Sequence, residues 1–128
     1  MSISGLAGHL ARGGIPILDE TAAEAFLDAT PHGLLLFPGD PALHAESLDV
    51  AVILPELLAA FAGRYRAAAL SPQAEAGLKA RFGVLLLPSL VVTRRRSVLG
   101  VLPRLLDWNV YLQRLGGFLA PASAEVEA

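Results

Sequence analysis

Arg81-Phe82-Gly83-Val84-Leu85-Leu86-Leu87-Pro88-Ser89-Leu90-Val91-Val92 joins the end of one element to the start of another. Gly83 follows a helical pattern and stops it, because glycine enters the left-handed conformation that closes a helix without steric cost. The apolar, β-branched run that follows reads as a strand, but Pro88 cannot occupy a ladder position inside it. Proline lacks the N–H and fixes φ, so it is tolerated only at an edge or at a strand start. The strand is therefore predicted to open at Pro88 and to run through Val92.

Upstream, Ser71-Pro72 is a helix start, with serine as N-cap and proline at the first helical position. Ala74, Leu78 and Phe82 supply that helix's apolar face. Tyr65 to Leu70 reads as a strand before it. A longer helix is predicted from Ser47 to Ala62, with Val50, Leu54, Leu57, Leu58 and Phe61 on one face and Pro55 expected to kink it. Leu34-Leu35-Leu36-Phe37 is a continuous apolar run, as in a strand buried on both faces. Thr21-Ala22-Ala23-Glu24 fits a capping box for a helix with Ala22, Ala25, Phe26 and Ala29 facing inward, and Ile15 to Leu18 reads as a short edge strand. Downstream, Arg94 to Ser97 is a hairpin tip, Val98 to Leu102 returns, and a final helix starts near Asp107 with Trp108, Tyr111, Leu112 and Leu115 at helical spacing. Residues 1–14 read as a flexible arm or a frayed helix, 15–119 as one domain, and 120–128 as a disordered acidic tail.

Strand-helix alternation followed by a hairpin and a terminal helix gives an α/β fold, a mixed central sheet with helices on both faces. The helix end, the three leucines and Pro88-Ser89-Leu90 resemble the segment of thioredoxin-fold proteins that carries their cis-proline. That resemblance implies a cis Leu87–Pro88 bond beside the Pro38–His44 loop, with the Leu87 backbone facing outward. In such proteins this backbone pairs with an extended segment of the client, and main-chain hydrogen bonds of that type supply affinity while neighbouring pockets supply specificity.

The 128 residues include no cysteine. Thiol nucleophiles, disulfide exchange, thiolate-bound zinc and iron–sulfur ligation by this chain are thereby excluded. A thioredoxin-like scaffold without thiols is expected to bind rather than to transfer electrons, in the reducing cytosol. With 54% hydrophobic residues and a mean hydropathy of +0.54, the chain is unusually apolar. It nevertheless lacks the roughly 20-residue apolar stretch a spanning helix needs, and residues 1–16 have no apolar core of a signal peptide. The excess must enter the core or form a surface that receives a partner. Residues 1–64 hold eight acids against Arg12 and Arg64, while residues 65–128 hold eight bases against four acids. That asymmetry either gives the surface a sign or averages out on folding.

Catalytic constellations are sparse. His9, His32 and His44 lie in an arm, a turn and a loop without metal-site spacing and are expected to be solvated or capping. The serines form no nucleophile elbow, and no glycine-rich phosphate loop is present. Arg94-Arg95-Arg96 could grip phosphate or RNA, but three charges on a tight hairpin are more often a solvated turn that discourages edge association, and with no interleaved aromatic residues nucleic acid is not an expected partner. Asp40, Glu46, Asp49 and Glu56 cluster from one loop into the following helix. They either favour the helix dipole or form a site for a basic partner.

Phe37-Pro38-Gly39-Asp40-Pro41, Glu46 to Asp49, Val52-Ile53-Leu54-Pro55-Glu56-Leu57, Arg64-Tyr65-Arg66-Ala67, Arg81-Phe82-Gly83-Val84 and Leu87-Pro88-Ser89-Leu90 together resemble the HyaE/HupG family, cysteine-free thioredoxin-like accessory proteins of nickel-iron hydrogenase maturation. Trp108, in Asp107-Trp108-Asn109-Val110-Tyr111-Leu112, is similar to the family's final helix. This chain departs from the pattern at Leu86 and Leu87, where a bulkier aromatic is expected before the proline. The resemblance implies a non-catalytic cytoplasmic chaperone, without cofactor or metal. Such a chaperone holds the hydrogenase small-subunit precursor before export by engaging its twin-arginine signal peptide. Leu87 and Pro88 would meet the peptide backbone, and Asp40, Glu46, Asp49 and Glu56 would suit its arginines. The competing reading is a thioredoxin-fold structural or dimerisation subunit with no signal-peptide recognition.

Overall fold

The computed structural model describes residues 3–119. Its elements are α1 (Ile3–Arg12), β1 (Ile17–Leu18), α2 (Glu20–Ala29), β2 (Gly33–Phe37), α3 (Ser47–Ala60), β3 (Arg66–Leu70), α4 (Pro72–Phe82), β4 (Ser89–Arg94), β5 (Ser97–Pro103) and α5 (Trp108–Phe118). Five strands form one sheet in the order β1-β3-β2-β4-β5. β1, β3 and β2 run parallel, and β4 and β5 are antiparallel additions.

Period-two alternation divides the β2 side chains between two cores. Leu34 and Leu36 face α1, α3 and α5, packing with Leu10, Leu54, Leu57, Tyr111 and Leu115. Leu35 and Phe37 face α2 and α4, packing with Phe26, Leu27, Leu78 and Phe82. All five β2 residues are buried, as the continuous apolar run predicts for a strand covered on both faces.

The punctuation residues act as expected around α4. Ser71 Oγ accepts from Ala74 N–H, Pro72 opens the helix, and Gly83 closes it at φ +71°. α3 runs unbroken through Pro55 but ends at Ala60, because Ala62 and Gly63 turn to positive φ.

Of the two readings of residues 1–14, arm or helix, the structure has the helix: α1 is held by Leu6 and Leu10 one turn apart in the core beside α3; two large side chains suffice where alanine and glycine permit close approach. Two expectations are corrected. α2 is capped by Asp19, whose Oδ1 accepts from Ala22 N–H at 2.8 Å, rather than by Thr21. Its inward face is Ala23, Phe26 and Leu27, because burying Leu27 removes more apolar surface than burying Ala25 or Ala29. His32, expected to be solvated or capping, has its Nδ1 buried with no hydrogen-bond partner among the described residues, and its ring meets Tyr65 edge-on at 6.1 Å. Desolvation, aided by the Arg94 and Arg64 charges, lowers its pKa. The acidic tail lies outside the described residues.

The hairpin arginines are bound to the fold. Arg96 grips Asp28 through Nε and Nη2 at 2.6 and 2.9 Å and reaches Glu24 at 2.5 Å, while Arg81 pairs with the same Glu24. Arg95 donates to the Asp28 carbonyl. Together they tie the β4–β5 turn to α2. No helix among the described residues is long and apolar enough to cross a membrane.

Candidate functional site

The loop after β2 and the loop before β4 meet at one end of the sheet. Leu87–Pro88 is cis, and β4 begins at the next residue. Ser89 Oγ donates to the Leu86 carbonyl at 2.6 Å, and Arg104 N–H donates to the Pro88 carbonyl at 2.7 Å. Among the described residues, no hydrogen bond takes up the N–H or the C=O of Leu87. A residue with free main-chain groups at the end of a sheet is a point for strand-like pairing.

The facing loop is built tightly. Gly39 stands at φ +72°, where a Cβ would lie 2.7 Å from His44 Cδ2 and 3.0 Å from Leu87 Cβ. The Asp40 carbonyl accepts from the N–H groups of Leu43 and His44, and its Oδ1 from that of Ala42. Ser47, wholly buried at the start of α3, donates its hydroxyl to the Pro38 carbonyl.

Between the loops runs a groove of about 540 Å³. Leu43, Leu85 and Leu86 stand along it 77%, 89% and 52% exposed. Three leucines left in water at one place are costly unless something covers them. Lys79 and the Arg104–Glu46 ion pair stand at its rim.

The predicted site residues separate in space. Leu87, Pro88 and Glu46 line the groove. Glu46 is engaged within the fold, its Oε1 accepting from Arg104 Nε at 2.9 Å and from Leu105 N–H at 3.0 Å. The Leu105 hydrogen bond and the Arg104 guanidinium lower its pKa. Tyr111 supports the same turn, donating to the Arg104 carbonyl and accepting from Leu106 N–H. Asp40 lines a second cleft on the far side of its loop. Asp49 and Glu56 are exposed on α3, outside both. Sequence reasoning missed Leu43, Leu85, Leu86, Lys79 and Arg104. The available signal was the pair of leucines between a helix-closing glycine and Pro88, too far from either element to be buried by it.

The family described as "Hydrogenase-1 expression protein HyaE" matches residues 6–111. The chain belongs to the HyaE family. It is 45% identical to the hydrogenase expression/formation protein HupG of Rhizobium leguminosarum bv. viciae, over 86% of this chain and 76% of that protein. It is 42% identical to HoxO of Azotobacter vinelandii, also a hydrogenase expression/formation protein, over 84% of this chain and 72% of the relative. The crystal structure of hupG from Rhodopseudomonas palustris CGA009 superposes with a TM-score of 0.60 at 41% identity, over 88% of this chain and 97% of that one. Oxidised thioredoxin from Plasmodium falciparum superposes at 0.69 with 10% identity, over 83% and 99% of the two chains, which establishes the thioredoxin-like fold. This HyaE-family chain therefore keeps the fold, with no cysteine anywhere in it.

Proposed function

We propose that this HyaE-family protein is a non-catalytic cytoplasmic chaperone of hydrogenase maturation. Its client is the nickel-iron hydrogenase small-subunit precursor, bound through the twin-arginine signal peptide before export. The observation that carries the reading is the groove: exposed Leu43, Leu85 and Leu86 beside a Leu87 backbone with free hydrogen-bonding groups. Family membership supports the hydrogenase context. An extended peptide would pair with Leu87 next to Pro88 and lay its apolar stretch on the three leucines. Fully covering a leucine side chain contributes about 1.5–3 kcal/mol, so the three supply affinity and the surrounding charges mainly steer. Glu46, neutralised by Arg104, orders the groove wall. Asp49 and Glu56, exposed on α3, attract the arginines from outside it, and Asp40 meets them across the loop.

The test is calorimetric titration with a synthetic hydrogenase small-subunit signal peptide, its twin arginines intact or changed to lysines, at low and moderate salt. Saturable binding is expected, weaker for the lysine peptide and weakened about tenfold or more by Leu86→Asp. Absence of binding to either peptide, with size-exclusion chromatography showing a dimer indifferent to peptide, would replace the chaperone reading with that of a dimerisation subunit.

A further inference from the structure

On the other side of the Pro38–Asp40 loop from the leucine groove lies a second cleft, of about 170 Å³, roofed by α1 and closed below by β3 and the start of α4. We propose that this cleft is a slot for a basic side chain, its hydrocarbon stem against Leu6, Leu10 and Leu70 and its cationic tip at the Glu75 carboxylate.

The volume is of the order of the roughly 150 Å³ cavity that accepts a benzene molecule, so an extended side chain fits and a second domain does not. Leu6, Leu10 and Leu70 are buried, and Ile17, 46% exposed, stands at the mouth. These walls favour hydrocarbon, but Glu75 does not. Its Oε1 accepts from Gly39 N–H at 2.7 Å, and no other hydrogen bond or ion pair engages the carboxylate among the described residues. An ionised carboxylate has room for about four such bonds. Burial already pushes the Glu75 pKa up, against the Gly39 hydrogen bond and the Lys79 and His44 charges.

A purely apolar occupant would strip more water from this group without replacing it, which is unfavourable for an ion left unpaired. A cationic tip offsets that cost with a charge-assisted hydrogen bond. Asp40, exposed at the same mouth, adds a second negative charge, and no basic side chain lines the cleft. The contrast with the leucine groove, rimmed by Lys79 and the Arg104–Glu46 ion pair, is carried by one residue: Gly39 contributes its N–H to Glu75 on one side and packs against His44 and Leu87 on the other. A segment paired at Leu87 would therefore lay its apolar residues on the leucine side and pass a basic residue over Gly39 to the anionic side. Assigning that residue to an arginine of the client rests on the proposed chaperone role; the slot's preference for a cation does not.

The experiment follows the Gly39 amide in ¹⁵N-labelled protein by NMR at neutral pH, during titration with n-butylguanidinium, n-butylammonium and 1-pentanol. Glu75→Gln is the control, since its carbonyl oxygen still accepts from Gly39 N–H while the charge is gone. Both cations are expected to shift Gly39 saturably and to bind about tenfold more tightly than pentanol, an advantage that Glu75→Gln abolishes. Equal binding of pentanol, undiminished cation binding by Glu75→Gln, or no saturable shift would each overturn the proposal. Cation binding together with indifference to every signal peptide would uphold the slot and overturn the client reading.

Discussion

Replacing Tyr65 by phenylalanine removes one hydroxyl from the seam between β3 and α5. Tyr65 is 2% exposed, and its OH donates to the Leu115 carbonyl at 2.7 Å. That carbonyl lies in the last turn of α5, where helix carbonyls lack partners within the helix. The substitution keeps the ring, and so the edge-on contact with Phe61 at 5.5 Å, but leaves a buried acceptor unpaired. The loss is about 1–3 kcal/mol; a mid-range loss of about 2 kcal/mol lowers Tm by roughly 6–10 °C in a domain of this size.

A second signature comes from alkaline pH. Burial, opposed by the Arg64 charge, pushes the Tyr65 phenol from 10.0 up to about 12. The folded value is the higher one, so the stability held by the neutral phenol is intact below pH 10 and is lost as pH rises from there towards 12. At about pH 11 the unfolded chain has ionised this group and the folded chain has not, which removes about 1.4 kcal/mol from the wild type. Tyr65→Phe has no such group, so the gap between the two proteins should narrow by that amount between about pH 8 and about pH 11. Tyr111, also raised by burial, is present in both and cancels. Urea denaturation of both proteins at the two pH values measures the gap, with equal m-values confirming that only stability has changed. A gap that is absent near pH 8, or the same at both pH values, would refute the reasoning.

Gly39→Ala places a Cβ 2.7 Å from His44 and 3.0 Å from Leu87 at φ +72°. It is expected to lower stability by about 1–3 kcal/mol and to weaken peptide binding by displacing the loop from Leu87; denaturation and titration of the same variant check both. Glu75→Gln should change the acid limb of stability. Burial holds the folded carboxyl above its ordinary 4.5, so wild-type stability falls as pH rises from there through the folded value. In denaturation at a series of pH values the variant should lack that fall; an identical slope in both proteins would remove Glu75 as its source. Arg96→Ala breaks the pairs with Asp28 and Glu24, which are exposed and therefore screened. Its Tm deficit in dilute buffer should shrink in molar salt, and a deficit independent of salt would show that the arginine acts through packing.

Local chemistry made much of the fold legible in sequence. Ser71-Pro72 and Gly83 bound α4 because capping and left-handed φ are properties of those residues alone. Leu34 to Phe37 declared a strand buried on both faces because no polar residue interrupts it, and Pro88 had to stand at a strand start because it has no N–H. The absence of cysteine excluded thiol chemistry whatever the fold. Tertiary structure decided what depends on distant neighbours. Leu6 and Leu10 turn a glycine- and alanine-rich segment into a packed helix only because α3 offers them a surface. Glu46, one of four similar acids in sequence, is distinguished by Arg104, 58 positions away. Leu85 and Leu86 read as core residues in composition, yet they stand in solvent because the turn before cis-Pro88 carries them past both the helix and the strand that would have buried them. Helix caps and strand patterns are settled by energies local to the chain, whereas ion-pair partners and residual exposed apolar surface are settled by which segments the closed fold brings together.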